Sequence, residues 1–137
     1  MILVDTNVWS EATKAQPDEA VRNWAARHQG ELYLSTIVLA ELRAGTALMA
    51  PGKRRDCFEA HTDSLLDLCR DRILPFDEAA SRRYGQVLES ARRFGRPMQT
   101  ADAMIAATAL VHGLHVATRD SNDFAGAGVV VINLWNA

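Results

Sequence analysis

Four acids, Asp5, Glu41, Asp102 and Asp120, stand where apolar runs end or are interrupted. Asp5 closes Met1-Ile2-Leu3-Val4 and opens Asp5-Thr6-Asn7, and Asp120 follows Val116-Ala117-Thr118. Residues apolar at successive positions read as strands buried on both faces of a parallel sheet, whose ligands bind beyond the carboxyl ends of the strands. Glu41 has Ile37, Val38, Ala44 and Gly45 as its helical neighbours, and Leu42 follows it. A carboxylate inside such a stripe is costly unless it is paired or bound to a cation. Asp102 lies among Ala101, Ala103, Met104, Ile105 and Ala106. Each position also has a plainer reading. Asp5 or Thr6 could cap a helix, Glu41 could mark a stripe edge or pair with Arg43, and Asp102 could answer a helix dipole. Asp120 and Asp123 could be turn residues. Four carboxylates gathered at one rim of a sheet, however, cannot all stay ionised without cations. With no His or Cys beside them, hard oxygen donors point to one or two Mg²⁺ or Mn²⁺ ions rather than zinc. The chemistry this serves is hydrolysis of a phosphodiester by water, with no nucleophilic side chain.

The elements that must position these acids can be read in turn. Gln16-Pro17-Asp18-Glu19 starts a helix with Pro in its first turn and acids at the positive end of its dipole, and Gly30 stops it. Leu32-Tyr33-Leu34 is a second strand, and Ser35 or Thr36 caps a helix to about Met49, broken by Pro51-Gly52. Lys53 to about Asp71 is helical, with Phe58, His61, Leu65 and Leu68 on one face. Residues 72–76 form a weak strand, and Asp77 caps a helix that ends at Gly95. Thr100 caps the helix of Asp102, which His112-Gly113 terminates. Residues 114–118 are a strand, 119–128 a loop, and 129–134 a last apolar strand. Strands separated by helices indicate an α/β sandwich around a mostly parallel sheet.

At 137 residues the chain reads as one domain over 1–137, large enough to bury a core. No apolar stretch approaches the ~20 residues of a membrane span, and no signal peptide is evident at the start. Cys57 and Cys69 lie in one helical stretch, which suggests reduced thiols and a cytoplasmic location. The formal net charge of −2 excludes a strongly basic protein but not a nucleic-acid partner, since bound cations would offset an acidic cluster.

Asp5-Thr6-Asn7, Glu41-Leu42, Asp102 within 101–107, and Thr118-Arg119-Asp120-Ser121-Asn122-Asp123-Phe124 together resemble the PIN-domain ribonucleases over essentially the whole length. Within that family the chain is similar to VapC-type toxins. The run 5–11 and Lys14-x-Gln16-Pro17-Asp18 resemble the FitB-like group. The resemblance implies a three-layer α/β/α sandwich with a mostly parallel sheet of about five strands. It implies Mg²⁺- or Mn²⁺-dependent endoribonuclease activity, a homodimer, and a cognate antitoxin that blocks the site and can carry the pair onto DNA. Asp5, Glu41, Asp102 and Asp120 match the family's metal-binding acids, with Asp123 as the substitute for Asp120. Thr6, Asn7 and Thr118 match polar positions that orient the acids.

For RNA phosphates the candidates are Lys53-Arg54-Arg55, Arg82-Arg83, and Arg92-Arg93 with Arg96, although solvated helix faces account for each cluster equally well. Trp9, Trp24 and Trp135 read as core or interface residues rather than base-stacking platforms. Two rival functions are a catalytically silent binding module and a phosphoryl-accepting receiver. The receiver needs adjacent acids early and a late Lys, where this chain has a single Asp5 and Arg119.

Overall fold

The computed structural model describes residues 1–135. Its strands are β1 (Ile2–Val4), β2 (Leu32–Ser35), β3 (Ile73–Leu74), β4 (His115–Ala117) and β5 (Val131–Ile132), all parallel, in the spatial order β3-β2-β1-β4-β5. The chain winds outward from β1 through β2 to β3, then returns to lay β4 on the other side of β1. The order therefore reverses between β1 and β4, the place where open α/β sheets hold their ligands. Register carries the two strands to the same level: Val4 pairs with Ala117, and Asp5 N–H donates to Ala117 O at 2.9 Å.

The helices are α1 (Thr6–Ser10), α2 (Glu19–Arg27), α3 (Thr36–Ala47), α4 (Lys53–Leu68), α5 (Glu78–Phe94) and α6 (Thr100–Val111). They flank the sheet as an α/β/α sandwich, with α5 packed along α6, and α3 against α4 and α1. Leu3, Val4, Leu34, Val116 and Ala117 of the strands are completely buried, as the continuous apolar runs require. Ala103, Ala106 and Ala107 of α6 are also buried, and their small side chains let this helix sit close to its neighbours.

Caps fall largely where residue types place them. Asp18, Ser35 and Asp77 accept from backbone N–H groups at the starts of α2, α3 and α5. Gly95 ends α5 in the left-handed region at φ 87°, a conformation glycine adopts without strain. Several boundaries differ from the sequence reading. Helix α1 begins directly on Asp5, α2 stops at Arg27 before Gly30, and α3 and α4 end at Ala47 and Leu68. Gln99 rather than Thr100 precedes α6, with no side-chain cap. The last strand shrinks to Val131–Ile132, because Asn133 turns its amide to the neighbouring loop. Among the described residues no helix is long and apolar enough to cross a membrane.

The segment after β4 is pressed onto α5. Ser90 Oγ donates to Gly126 O at 2.7 Å, and a Cβ on Gly126 would lie 2.8 Å from Phe94 Cβ and 2.9 Å from Ala91 Cα. Relieving that overlap means moving backbone. Gly126→Ala is accordingly expected to destabilise by about 1–3 kcal/mol, measured as a lowered urea midpoint with an unchanged m-value.

Candidate active site

Asp5, at the carboxyl end of β1, is only 5% exposed. Its Oδ1 accepts from Thr6 N–H at 2.8 Å, which caps α1, and its Oδ2 accepts from Thr118 Oγ1 at 2.8 Å. The capping and functional readings of Asp5 are thus compatible, because each oxygen uses only part of its acceptor capacity. Thr118 is fully buried at the end of β4. Besides donating to Asp5, its hydroxyl accepts from Asp120 N–H at 3.1 Å and from Asn7 Nδ2 at 3.3 Å. Asn7 extends the network, since its Nδ2 donates to Asp120 Oδ2 at 2.9 Å and its Oδ1 accepts from Arg119 N–H at 3.1 Å. Thr6, Asn7 and Thr118 thus hydrogen-bond to acids of this rim, and Asp120 joins it through Asn7.

Glu41 reaches the site from α3, where Thr6 Oγ1 donates to its Oε1 at 2.8 Å. One part of the sequence reasoning fails here. Glu41 is exposed, not sunk in an apolar stripe, because Ala40, Ala44 and Gly45 on that side of α3 are exposed too. Nor does it pair with Arg43 among the described residues; Arg43 lines a separate recess with Thr46, Arg55 and Glu59. Asp102 enters from the first turn of α6, half-buried, with no hydrogen-bond donor on its carboxylate among the described residues.

The electrostatics bind these acids into one centre. Burial pushes the Asp5 carboxyl up; the bonds from Thr118 and Thr6 oppose this, and the charges of Glu41 and Asp120 add to the rise. Burial likewise raises Asp102, to about 6, followed by the charges of Asp5, Asp123, Glu41 and Asp120. Asp123 thus bears on Asp102 more strongly than Asp120 does. It is held from the other side by Arg96, whose Nη2 lies 3.2 Å from its Oδ1. Among the described residues no three acids converge into a closed cation cage. Mg²⁺ does not require one, because it keeps several waters and takes only one or two carboxylates directly. An all-oxygen set in which the Asp5 and Asp102 carboxyls are raised suits such an ion.

Most of the basic clusters have local partners. Arg55 pairs with Glu59, Arg82 with Glu78 and Arg93 with Glu89, each one helical turn apart, as solvated faces do. Lys53 and Arg54 instead line a groove of about 790 Å³ that opens beside Thr6 and Glu41 and carries Leu42, Met49 and Phe58. Asn133 is a supporting residue the sequence reading passed over. Its Nδ2 donates to Arg119 O at 3.0 Å and to Ser121 Oγ at 2.8 Å. The available signal was a polar side chain at the carboxyl end of an apolar run, as at Asp5.

A carboxyl raised in the fold favours the protonated folded state, so its contribution to stability is complete below pH 3.8 and lost as the pH rises through about 6. In metal-free buffer Asp102→Asn should therefore stabilise the protein by about 1 kcal/mol above neutrality and by almost nothing near pH 4. Urea unfolding of both proteins at the two pH values measures the difference.

The model of the PIN domain family matches residues 2–129. VapC ribonuclease Y4jK of Sinorhizobium fredii is 47% identical over 137 residues, covering 98% of each chain. Toxin FitB of Neisseria gonorrhoeae is 44% identical over 138 residues, covering 99% of each. The solved structure of FitAB bound to an IR36 DNA fragment superposes with a TM-score of 0.92 at 44% identity, covering 98% of this chain and 96% of that one.

Proposed function

The chain belongs to the PIN domain family, and from that membership we propose that it is a metal-dependent endoribonuclease, the toxin of a toxin–antitoxin pair. The observation that carries this reading is the buried Asp5 at the switch between β1 and β4, with Glu41, Asp102 and Asp120 near enough to press on its charge or on that of Asp102. Asp5, Glu41, Asp102 and Asp120 would hold Mg²⁺ or Mn²⁺. When bound, the ion supplies Lewis-acid activation of water and a countercharge for the oxygen that leaves phosphorus.

This chain's own residues supply placement. Thr6 N–H and the Thr118 hydroxyl fix both oxygens of Asp5, so its remaining lone pairs face the rim in one orientation. Thr6 aims Glu41 through its hydroxyl, and Asn7 aims Asp120 through its amide. Asp120 serves as the fourth acid because it is wired to Asp5 through Asn7 and Thr118. Asp123, paired with Arg96, is an auxiliary charge near Asp102. In this reading the protein is one domain that acts in the cytoplasm as a homodimer with an antitoxin that blocks the site; the structure of FitAB with its IR36 DNA fragment supports an antitoxin that carries the pair onto DNA. The groove beside Glu41, apolar at Leu42, Met49 and Phe58, suits a segment of that antitoxin which presents apolar side chains.

Purified protein freed of its partner should cut labelled structured RNA in Mg²⁺ or Mn²⁺ and not in excess EDTA. Asp5→Asn and Asp102→Asn should each lower the rate at least about 100-fold, and Thr118→Val about 10–100-fold, as loss of a group that orients a ligand does. Wild-type rates in Asp5→Asn would remove these acids from the reaction. Metal-independent cleavage would remove the ion.

A further inference from the structure

Arg119 lies between Thr118 and Asp120, in the loop that carries the fourth acid. Its backbone is held on both sides: N–H donates to Asn7 Oδ1 at 3.1 Å, and C=O accepts from Asn133 Nδ2 at 3.0 Å. Asn7 is also the residue that aims Asp120, so the Arg119 backbone and the acid share one support. The guanidinium lies over Trp135, 5.3 Å from the ring centroid, and Trp135 N–H is tied to Asn133 Oδ1 at 3.0 Å. Arg119 is exposed, yet among the described residues no carboxylate pairs with it.

An arginine fork fixed at its root, stacked on an indole and, among the described residues, without a paired carboxylate is prepared for an anion that offers two acceptor oxygens, such as phosphate. Its charge reaches Glu11, and the next residue in the loop, Asp120, turns its Oδ2 to the amide of Asn7 at the acidic rim. A phosphate held by Arg119 would therefore lie beside that rim. We propose that Arg119, braced by Trp135, binds an RNA phosphate flanking the scissile one and so sets how the strand lies across the acids.

This rests on the endoribonuclease reading, and the test separates the two. RNA binding is measured by fluorescence anisotropy with the full-length Asp5→Asn protein in Mg²⁺, using a labelled single-stranded RNA across about 50–200 mM salt. Adding Arg119→Gln should raise Kd about tenfold and reduce the salt slope by about 0.7, the value for one lost phosphate contact on a single strand. Arg119→Lys should keep the slope and recover only part of the affinity, since an ammonium lacks the fork. Trp135→Ala should weaken binding less and leave the slope alone, because the charge remains. In cleavage by the otherwise wild-type enzyme, Arg119→Gln should raise KM with kcat little changed. An unchanged Kd and slope in Arg119→Gln, with or without a lowered melting temperature, overturns the proposal, as does an absence of RNA binding by Asp5→Asn. Failure of the wild-type protein to cleave RNA that it binds in this Arg119-dependent way would instead refute the endoribonuclease reading alone.

Discussion

The bond from the Thr118 hydroxyl to Asp5 Oδ2 joins the ends of two strands that are 113 positions apart in sequence and adjacent in the sheet. A hydroxyl has one proton and two lone pairs, and in Thr118 all three are engaged: by Asp5, by the amide of Asn7 and by the backbone N–H of Asp120. One fully buried atom thus sets the position of Asp5, the entry of the loop after β4, and through Asn7 the direction of Asp120. Burial makes the arrangement stringent. A missing partner here would leave a carboxylate oxygen desolvated with nothing in exchange, a loss that a surface bond does not risk. The parallel register of β1 with β4 brings the two ends level, so sheet topology and site geometry are a single constraint.

Concentrating carboxylates works against the fold. Asp5 and Asp102 both sit above their ordinary range, first through burial, with neighbouring carboxylates adding to the rise: Glu41 and Asp120 at Asp5, and Asp5, Asp123, Glu41 and Asp120 at Asp102. The structure tolerates this by dividing the load. Asp5, the most buried, receives two donors; Asp120 receives an amide; Glu41 stays in solvent with one hydroxyl, and Asp123 has the Arg96 guanidinium. Asp102 has none of these among the described residues, and its carboxyl is raised to about 6. A divalent ion would relieve the strain, which ties ligand binding to stability.

Cations and acids are sorted by side. Arginines on the outer helices are answered within a turn by Glu59, Glu78 and Glu89, and contribute solvated surface. Near the rim the pattern changes: Arg96 faces Asp123, Lys53 and Arg54 look into the groove beside Glu41, and Arg119 rests on the indole of Trp135. Positive charge is thus held around an acidic centre without collapsing onto it. A polyanion that must approach carboxylates needs this separation.

Strand order could not be read from local pattern, but the ingredients of the site could. Continuous apolar runs ending in Asp5 and Thr118 identified buried parallel strands and the ends at which the acids gather, and residue type alone selected the caps Asp18, Ser35 and Asp77. These follow from short-range physics: period, turn chemistry and the cost of a carboxylate beside apolar neighbours. Glu41 shows where that reasoning stops. Its neighbours in sequence suggested burial, yet which face of α3 meets the core is decided by the packing of α3 on α1 and α4, and Glu41 lies outside it. The partners of Asn133, Arg96 and Trp135 were equally hidden, since Arg119, Ser121 and Asp123 meet them only through the fold. Composition and spacing determine which residues can act. Only the closure of β4 against β1, and of the following loop against α5, decides which of them meet, because a hydrogen bond of about 3 Å is a tertiary distance that local sequence does not encode.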